Sequence, residues 1–351
     1  MGKASFSSRV LDWYDHHGRH DLPWQQQRTP YRVWIAEIML QQTQVGTVIP
    51  YYQRFMQAFP DLNSLSSASL DDVLGYWSGL GYYSRARNLH KTACIIAAEH
   101  KGTFPERFEQ VMALPGIGQS TAGAILAQAM GQRHAILDGN VKRVLCRYHA
   151  VDGWPGKTAV QKKLWQFAEQ HTPGKRIADY TQAMMDLGAT LCMRSSAQCK
   201  HCPLQSDCEA TVTDQVKRYP FPRPRRQLPV KSARLLILTD KESGRILLEK
   251  RPPTGIWGGL WSLPEAEVDE KIEQLCLQRW GLKVLANEDC SPFRHTFSHY
   301  HLDITPCRVH VQQHEAGVKE LDEIIWCPSE DATKRALATP VARIISQHTK
   351  T

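Results

Sequence analysis

Cys192, Cys199, Cys202 and Cys208 crowd into seventeen residues in the order C-x6-C-x2-C-x5-C. No other feature restricts the fold of this chain as much. Four thiolates sharing a metal force a short segment into a tight wrap, and metal binding then becomes part of folding. The pattern admits an all-cysteine iron–sulfur cube or a tetrahedral zinc. Zinc sites favour paired C-x2-C hooks, and only one such pair is present. The other six cysteines are scattered, as in a cytosolic chain whose thiols stay reduced.

Residues 5–210 pattern as helices punctuated by Gly and Pro. In "RTPYRVWIAEIMLQQTQV", Thr29 is placed to cap and Pro30 suits a first turn, which predicts a helix starting there. "SLDDVLGYWSGLGYYSRARNLHKTACIIAAEH" breaks at Gly79 and Gly81 into two helices around an exposed aromatic loop. "FPERFEQVMALPGIGQSTAGAILAQAMG" reads as a helix, a tight Pro-Gly hairpin and a second helix, and Asp138 as the N-cap of the next. From 214 to 234, prolines and cations without periodicity predict a linker. Beyond it "RLLILTD", "RILLEKR" and "HYHLDITPCRVHV" read as strands around a helical "EVDEKIEQLCLQRWGL". The expected organisation is an all-α domain, 1–213, with the hairpin at 105–130 and the cysteine loop at 192–208. The linker 214–234 and an α+β domain, 235–351, follow.

A net charge of +8 favours a polyanionic partner, though many basic proteins bind no nucleic acid. The first residues lack the apolar core of a signal peptide and no apolar run is long enough to span a bilayer, so the expected location is cytoplasmic, at the nucleoid in a bacterium. Gly116 and Gly118 let the backbone approach a phosphate at the start of a helix. Glu37 lies near Val33, Trp34 and Leu40 on its predicted helix, a setting that raises a carboxyl pKa. Pairing with Arg32 at the edge of a core is its plain alternative.

Together, "LPGIGQSTAGAI", "ILDGNVKRVL" and the cysteine run resemble the helix-hairpin-helix, Gly/Pro-Asp superfamily of DNA glycosylases that includes endonuclease III. "EIMLQQTQV" is very similar to the catalytic helix of its MutY family of adenine DNA glycosylases. The resemblance implies one [4Fe-4S] cluster on the four cysteines, Glu37 as general acid, Asp138 as transition-state stabiliser and Asn140 as its orienting partner. Where lyase members carry a Schiff-base lysine, this chain has Ser120, which implies base removal without strand cleavage. Gln42 and Tyr82 are the implied DNA wedges, with Gln41 beside them on the DNA, Gly116, Gly118 and Ser120 in the DNA-binding hairpin and Arg85 and Arg87 on phosphate. Trp24 and Gln182 match positions that line the adenine pocket.

"GIWGGLWSLP" resembles the Nudix hydrolase fold, but the magnesium-binding glutamate pair of its box falls on Gln278 and Arg279. No magnesium is expected there, and the domain should recognise without hydrolysing. Phe297, Ser298 and His299 match the loop with which the MutY family senses 8-oxoguanine. The expected protein is a monomeric adenine DNA glycosylase acting on duplex DNA with A:8-oxoguanine or A:G mispairs in base-excision repair. The alternatives are an endonuclease III-like lyase for oxidised pyrimidines and a non-catalytic iron–sulfur DNA-binding protein.

Overall fold

In the computed structural model, residues 4–224, 227–313 and 323–348 are described. Arg225 and Arg226 of the expected linker, and the parts of the expected C-terminal domain at 314–322 and 349–351, lie outside the described residues. Two compact units emerge, 1–67 with 88–225, and 68–87 with 226–351.

The first unit is helical. It opens with α1 (Phe6–His17), α2 (Pro30–Leu40), α3 (Val45–Ala58) and α4 (Leu62–Ser67). After α5 (Leu70–Trp77), which belongs to the second unit, α6 (Ser84–Glu99) returns the chain to the first. Then follow α7 (Phe108–Ala113), α8 (Gln119–Met130), α9 (Gly139–Tyr148), α10 (Thr158–His171) and α11 (Ile177–Asp186). The Thr29 hydroxyl accepts the Arg32 amide with Pro30 in the first turn, so α2 starts where cap chemistry predicts. A shared core draws Val10 and Tyr14 of α1, Ala127 of α8, Leu145 of α9 and Met184 of α11 into one cluster. α2 packs on α8, and α8 on α11.

Past α11 the chain tightens into a π-turn (Leu187–Leu191) and two 3-10 turns, Cys199–His201 and Gln205–Asp207, before α12 (Glu209–Val212). This is the cysteine loop, and as its spacing demands, it holds no long element.

The second unit centres on one sheet with order β3-β2-β1-β7-β5. Its strands are β1 (Val230–Asp240), β2 (Ile246–Lys250), β3 (Trp261–Ser262), β4 (Glu265–Ala266), β5 (Leu282–Asp289), β6 (Phe293–Thr296), β7 (His301–Gln313) and β8 (Ile324–Cys327). β1 and β7 run parallel, and Ala233 to Leu238 stay almost continuously buried, as a strand covered on both faces must. β4 pairs with β1, β6 with β7 and β8 with β2. The helix α13 (Ile272–Trp280) places Ile272, Cys276 and Trp280 on the sheet and ends at Gly281, left-handed at φ 61°.

Three differences from the sequence reading have physical causes. β1 begins at Val230, inside the expected linker, because its pairing with β7 starts at Val230–His301. α13 is shorter than the 267–282 segment read as helical, since Glu267 lies just beyond β4. Residues 68–87, expected in the helical domain, group with the sheet unit, where Lys250 Nζ meets Asp71 at 2.7 Å and Tyr83 donates to the Leu337 carbonyl at 3.1 Å.

Candidate active site

Glu37 and Asp138 line one pocket of about 830 Å3 in the helical unit. Each arrives by a local rule. Glu37 sits in the last turns of α2, whose other faces are sealed by Trp34, Ile35, Ile38 and Met39. Asp138 caps α9, accepting the Val141 amide at 2.9 Å, so cap geometry also aims its carboxylate at the pocket.

The two carboxyls have unequal surroundings. Burial, and then the charge of Asp138, push Glu37 up to about 7, against a single amide donor, Gln128 Nε2, at 3.1 Å from Oε1. Burial also raises Asp138, but the backbone amides of Val141 and Asn140 and the charges of Arg143 and Lys142 pull the other way. Glu37 is therefore the better holder of a proton and Asp138 the better anion. Asn140 reaches Asp138 through its backbone amide; its side-chain oxygen accepts from Arg143 Nη2 at 2.8 Å.

Ser120 lines the same pocket from the first turn of α8. Its hydroxyl accepts the Leu137 amide at 2.9 Å, steadying the residue just before Asp138. Gly116 and Gly118 stand exposed in the turn between α7 and α8. Gly116 has φ 78°, and a Cβ there would lie 2.9 Å from Asn88 Cβ, so this position needs glycine. Gln41 ends α2 beside Thr121, and Gln42 follows with φ 60°, exposed at the pocket rim.

Trp24, 4 % exposed, packs edge-on against Tyr52 and forms one wall. Gln182, 2 % exposed, forms another. Its Nε2 donates to Asp186 Oδ1 at 2.7 Å, and Arg19 grips the same carboxylate through its backbone N, Nε and Nη2. A carboxylate can only accept, so the amide must present its oxygen elsewhere. That Oε1 is buried and takes no partner among the described residues. The sequence reading missed this pair, although Gln182 and Asp186 stand four residues apart on one helix, the spacing at which side chains meet.

The cysteine loop hangs from α9. Arg143 Nε donates to the Cys192 carbonyl at 2.6 Å. Arg147, 4 % exposed, donates to Cys192 Sγ at 3.3 Å and to the carbonyls of Met193, Arg194 and Tyr219. Burial pushes the Cys202 thiol up to about 12, with Cys192, Cys208 and Cys199 adding to the rise, so the four sulfurs sense one another. Among the described residues no three His, Cys, Asp or Glu side chains are arranged around a single metal ion.

A second cleft, of about 580 Å3, lies within the sheet unit. Its floor is the hairpin between β6 and β7, where the Phe297 amide bonds the Tyr300 carbonyl and leaves Ser298 and His299 exposed at the tip. Phe297 stacks on Tyr300 at 4.8 Å and meets His295 edge-on. Trp257, at φ 54°, backs both. Tyr82 enters from residues 68–87, 48 % exposed at φ 50°. Tyr83 is buried beside it, with Gly79 and Leu337 bonded to its hydroxyl.

Arg85 is not placed to reach phosphate as the sequence suggests. Arg85 is buried, lies over the rings of Trp77 and Tyr82, and donates to the carbonyls of Leu80 and Gly81. Arg87 Nη1 donates to the Gly258 carbonyl at 2.6 Å. Both brace the loop that carries Tyr82. Arg279 pairs with Glu249 at 2.9 Å.

The chain matches the HhH-GPD superfamily base excision DNA repair protein over residues 35–170 and the NUDIX domain over 234–347. It is 39 % identical to an adenine DNA glycosylase of Buchnera aphidicola subsp. Acyrthosiphon pisum, across 100 % of this chain and 99 % of that one. A Mus musculus adenine DNA glycosylase is 34 % identical across 98 % of this chain and 78 % of its own. Among solved structures, a thermostable thymine-DNA glycosylase superposes with TM-score 0.54 at 27 % identity, covering 59 % of this chain and 95 % of that one.

Proposed function

The chain belongs to the adenine DNA glycosylase family of base-excision repair, and from that premise we propose that Glu37 and Asp138 divide the cleavage of one N-glycosidic bond. The unequal environments of these two carboxyls carry the proposal. An everted adenine takes the Glu37 proton on a ring nitrogen, and the bond from C1′ to N9 breaks with its electron pair going to the base. The sugar is left electron-poor, and ionised Asp138 stabilises it. Water then adds its oxygen to C1′ and its released proton restores Glu37, so the balance is hydrolysis. Ser120 offers no amine, and the product is an abasic site in an uncut strand.

Gln182 supplies base selectivity in this reading. Its orphaned oxygen, aimed by Asp186, can accept from an exocyclic amino group such as adenine's, and would repel a carbonyl. Trp24 walls the base. Gln41, Gln42 and the turn at Gly116 and Gly118 hold the DNA near the everted base. The opposite base is 8-oxoguanine, read by Tyr82, Phe297, Ser298 and His299, whose placement in one cleft supports the role; guanine is the weaker partner. Duplex DNA in the compartment that holds the chromosome is the substrate. Among the described residues no helix is long and apolar enough to cross a membrane.

The cysteine loop suits one [4Fe-4S] cluster held by Cys192, Cys199, Cys202 and Cys208. A single C-x6-C-x2-C-x5-C run with only one C-x2-C pair fits the cube better than zinc, and Arg147 donates to the sulfur of the first ligand. The cluster's contribution is to order the loop. Absorbance near 400 nm with bound iron supports it; a colourless protein with stoichiometric zinc excludes it.

The decisive experiment incubates A:8-oxoguanine, A:G and thymine-glycol duplexes with the full chain, with and without alkali. Alkali-dependent breaks at adenine are expected. Breaks without alkali would favour a lyase, and tight binding without product would favour a DNA-binding protein.

A further inference from the structure

α8 buries every residue from Ala122 to Gln128. Six of the seven are Ala, Gly, Ile or Leu; the seventh is an amide, 5 % exposed. An amide in such a place costs stability unless it is hydrogen-bonded. Its Nε2 points across the packed interface between α8 and α2 and donates to Glu37 Oε1 at 3.1 Å.

We propose that Gln128 is a positioning residue, pinning one carboxyl oxygen of Glu37 so that the other, carrying the proton, faces the departing base. The inference rests on the reading of Glu37 as the acid. Its logic is directional. A donated N–H occupies Oε1, so the acidic proton is confined to Oε2, and a carboxyl at the end of a flexible side chain acquires a fixed plane. Pre-set geometry of this kind is what a proton transfer requires.

Gln128 also opposes the two influences that raise Glu37. Burial and the Asp138 charge push its pKa up, and the amide pulls it down. The charged groups sharing the pocket wall with Glu37 are Arg19, Asp138, Arg143 and Arg194, and among them the charge of Asp138 is the one that acts on Glu37. Without Gln128, Glu37 should bind its proton more tightly and hold it in a less defined direction.

The test uses the full chain and an A:8-oxoguanine duplex, with single-turnover excision measured across pH for Q128L and Q128M. Both remove the donor, and Q128M keeps the length. The expected result is a plateau roughly tenfold lower and an alkaline limb displaced to higher pH by about half a unit or more, with duplex affinity unchanged. Limbs that stay in place in both variants overturn the proposal, whatever happens to the plateau. In the unsubstituted chain, the side-chain amide 15N signal of Gln128 should shift with pH about the same midpoint as the alkaline limb. A signal flat through that range also overturns it. E37Q run alongside separates the levels: excision surviving in E37Q would remove the acid assignment itself, whereas a dead E37Q with unmoved Gln128 limbs removes only the positioning role.

Discussion

Glu37 and Asp138 differ less in burial than in what donates to them, and that difference predicts a bell-shaped pH profile. As the proposed general acid, Glu37 must be protonated to act, so excision should decline as pH rises through about 7. As the proposed stabiliser of the sugar, Asp138 must be ionised, so excision should also decline on the acid side, at a pH above that of an ordinary aspartate because burial raises it. Single-turnover rates from pH 4.5 to 9 check both limbs. The same shift has a sign for stability. The folded pKa of Glu37 exceeds its unfolded value, so the penalty for ionising it is absent in acid and complete above pH 7. Glu37→Gln should bind the mismatch without releasing adenine, and should resist denaturant better than the parent at pH 8.5, by on the order of 1–3 kcal/mol, with no gain at pH 4. Chemical denaturation at the two pH values decides it. These residues differ in how legible they are. The neighbours of Glu37 on α2 announce its apolar setting from sequence alone. Gln128 lies 91 residues away along the chain, and no local pattern joins the two; only the packing of α8 on α2 does.

The helix α9 does two jobs at its two ends. Its cap is Asp138, and one and two turns later Arg143 and Arg147 grip the cysteine loop. Arg147→Met should remove several charge-assisted hydrogen bonds at once, each typically worth about 1.5–3 kcal/mol. Lowered iron content and a lower melting temperature are expected, measured by visible absorbance and calorimetry. The hairpin between α7 and α8 is similarly sensitive at one atom. Gly116→Ala adds a Cβ against Asn88 at a left-handed φ, which should destabilise the turn by about 1–3 kcal/mol and weaken binding to any duplex, matched or mismatched. Fluorescence anisotropy with both duplexes tests this; a loss confined to the mismatch would contradict it. Caps and glycines are what sequence shows best, which is why α2, α8 and α9 start where Thr29, Gly118 and Asp138 place them. Arg85 was misread for the opposite reason. Its charge suits phosphate, and only the fold of the loop shows that it is buried over Trp77 and bonded to the carbonyls of Leu80 and Gly81.

At the scale of the whole molecule, the sheet unit is discontinuous in sequence, taking residues 68–87 from within the helical stretch. A chain ending at residue 224 would keep that segment but lose the Leu337, Lys250 and Gly258 groups bonded to it. Limited proteolysis should then cut first within 68–87, whereas the full chain should resist there. Sequence marks the loop by Gly79 and Gly81 but cannot say which body covers it, since composition changes along the chain and contacts need not. Within the second cleft, Ser298→Ala should lower the preference for A:8-oxoguanine over A:G by roughly tenfold, the worth of one hydrogen bond, with the A:G rate retained; equal losses on both substrates would assign Ser298 a different task. The shared cleft also limits how such enzymes can be recombined. Tyr82 and the Ser298 hairpin are encoded more than two hundred residues apart yet face one space. Joining the front of one homologue to the back of another at the linker would mate a tyrosine with a foreign hairpin, and a faithful graft must carry both gene segments together.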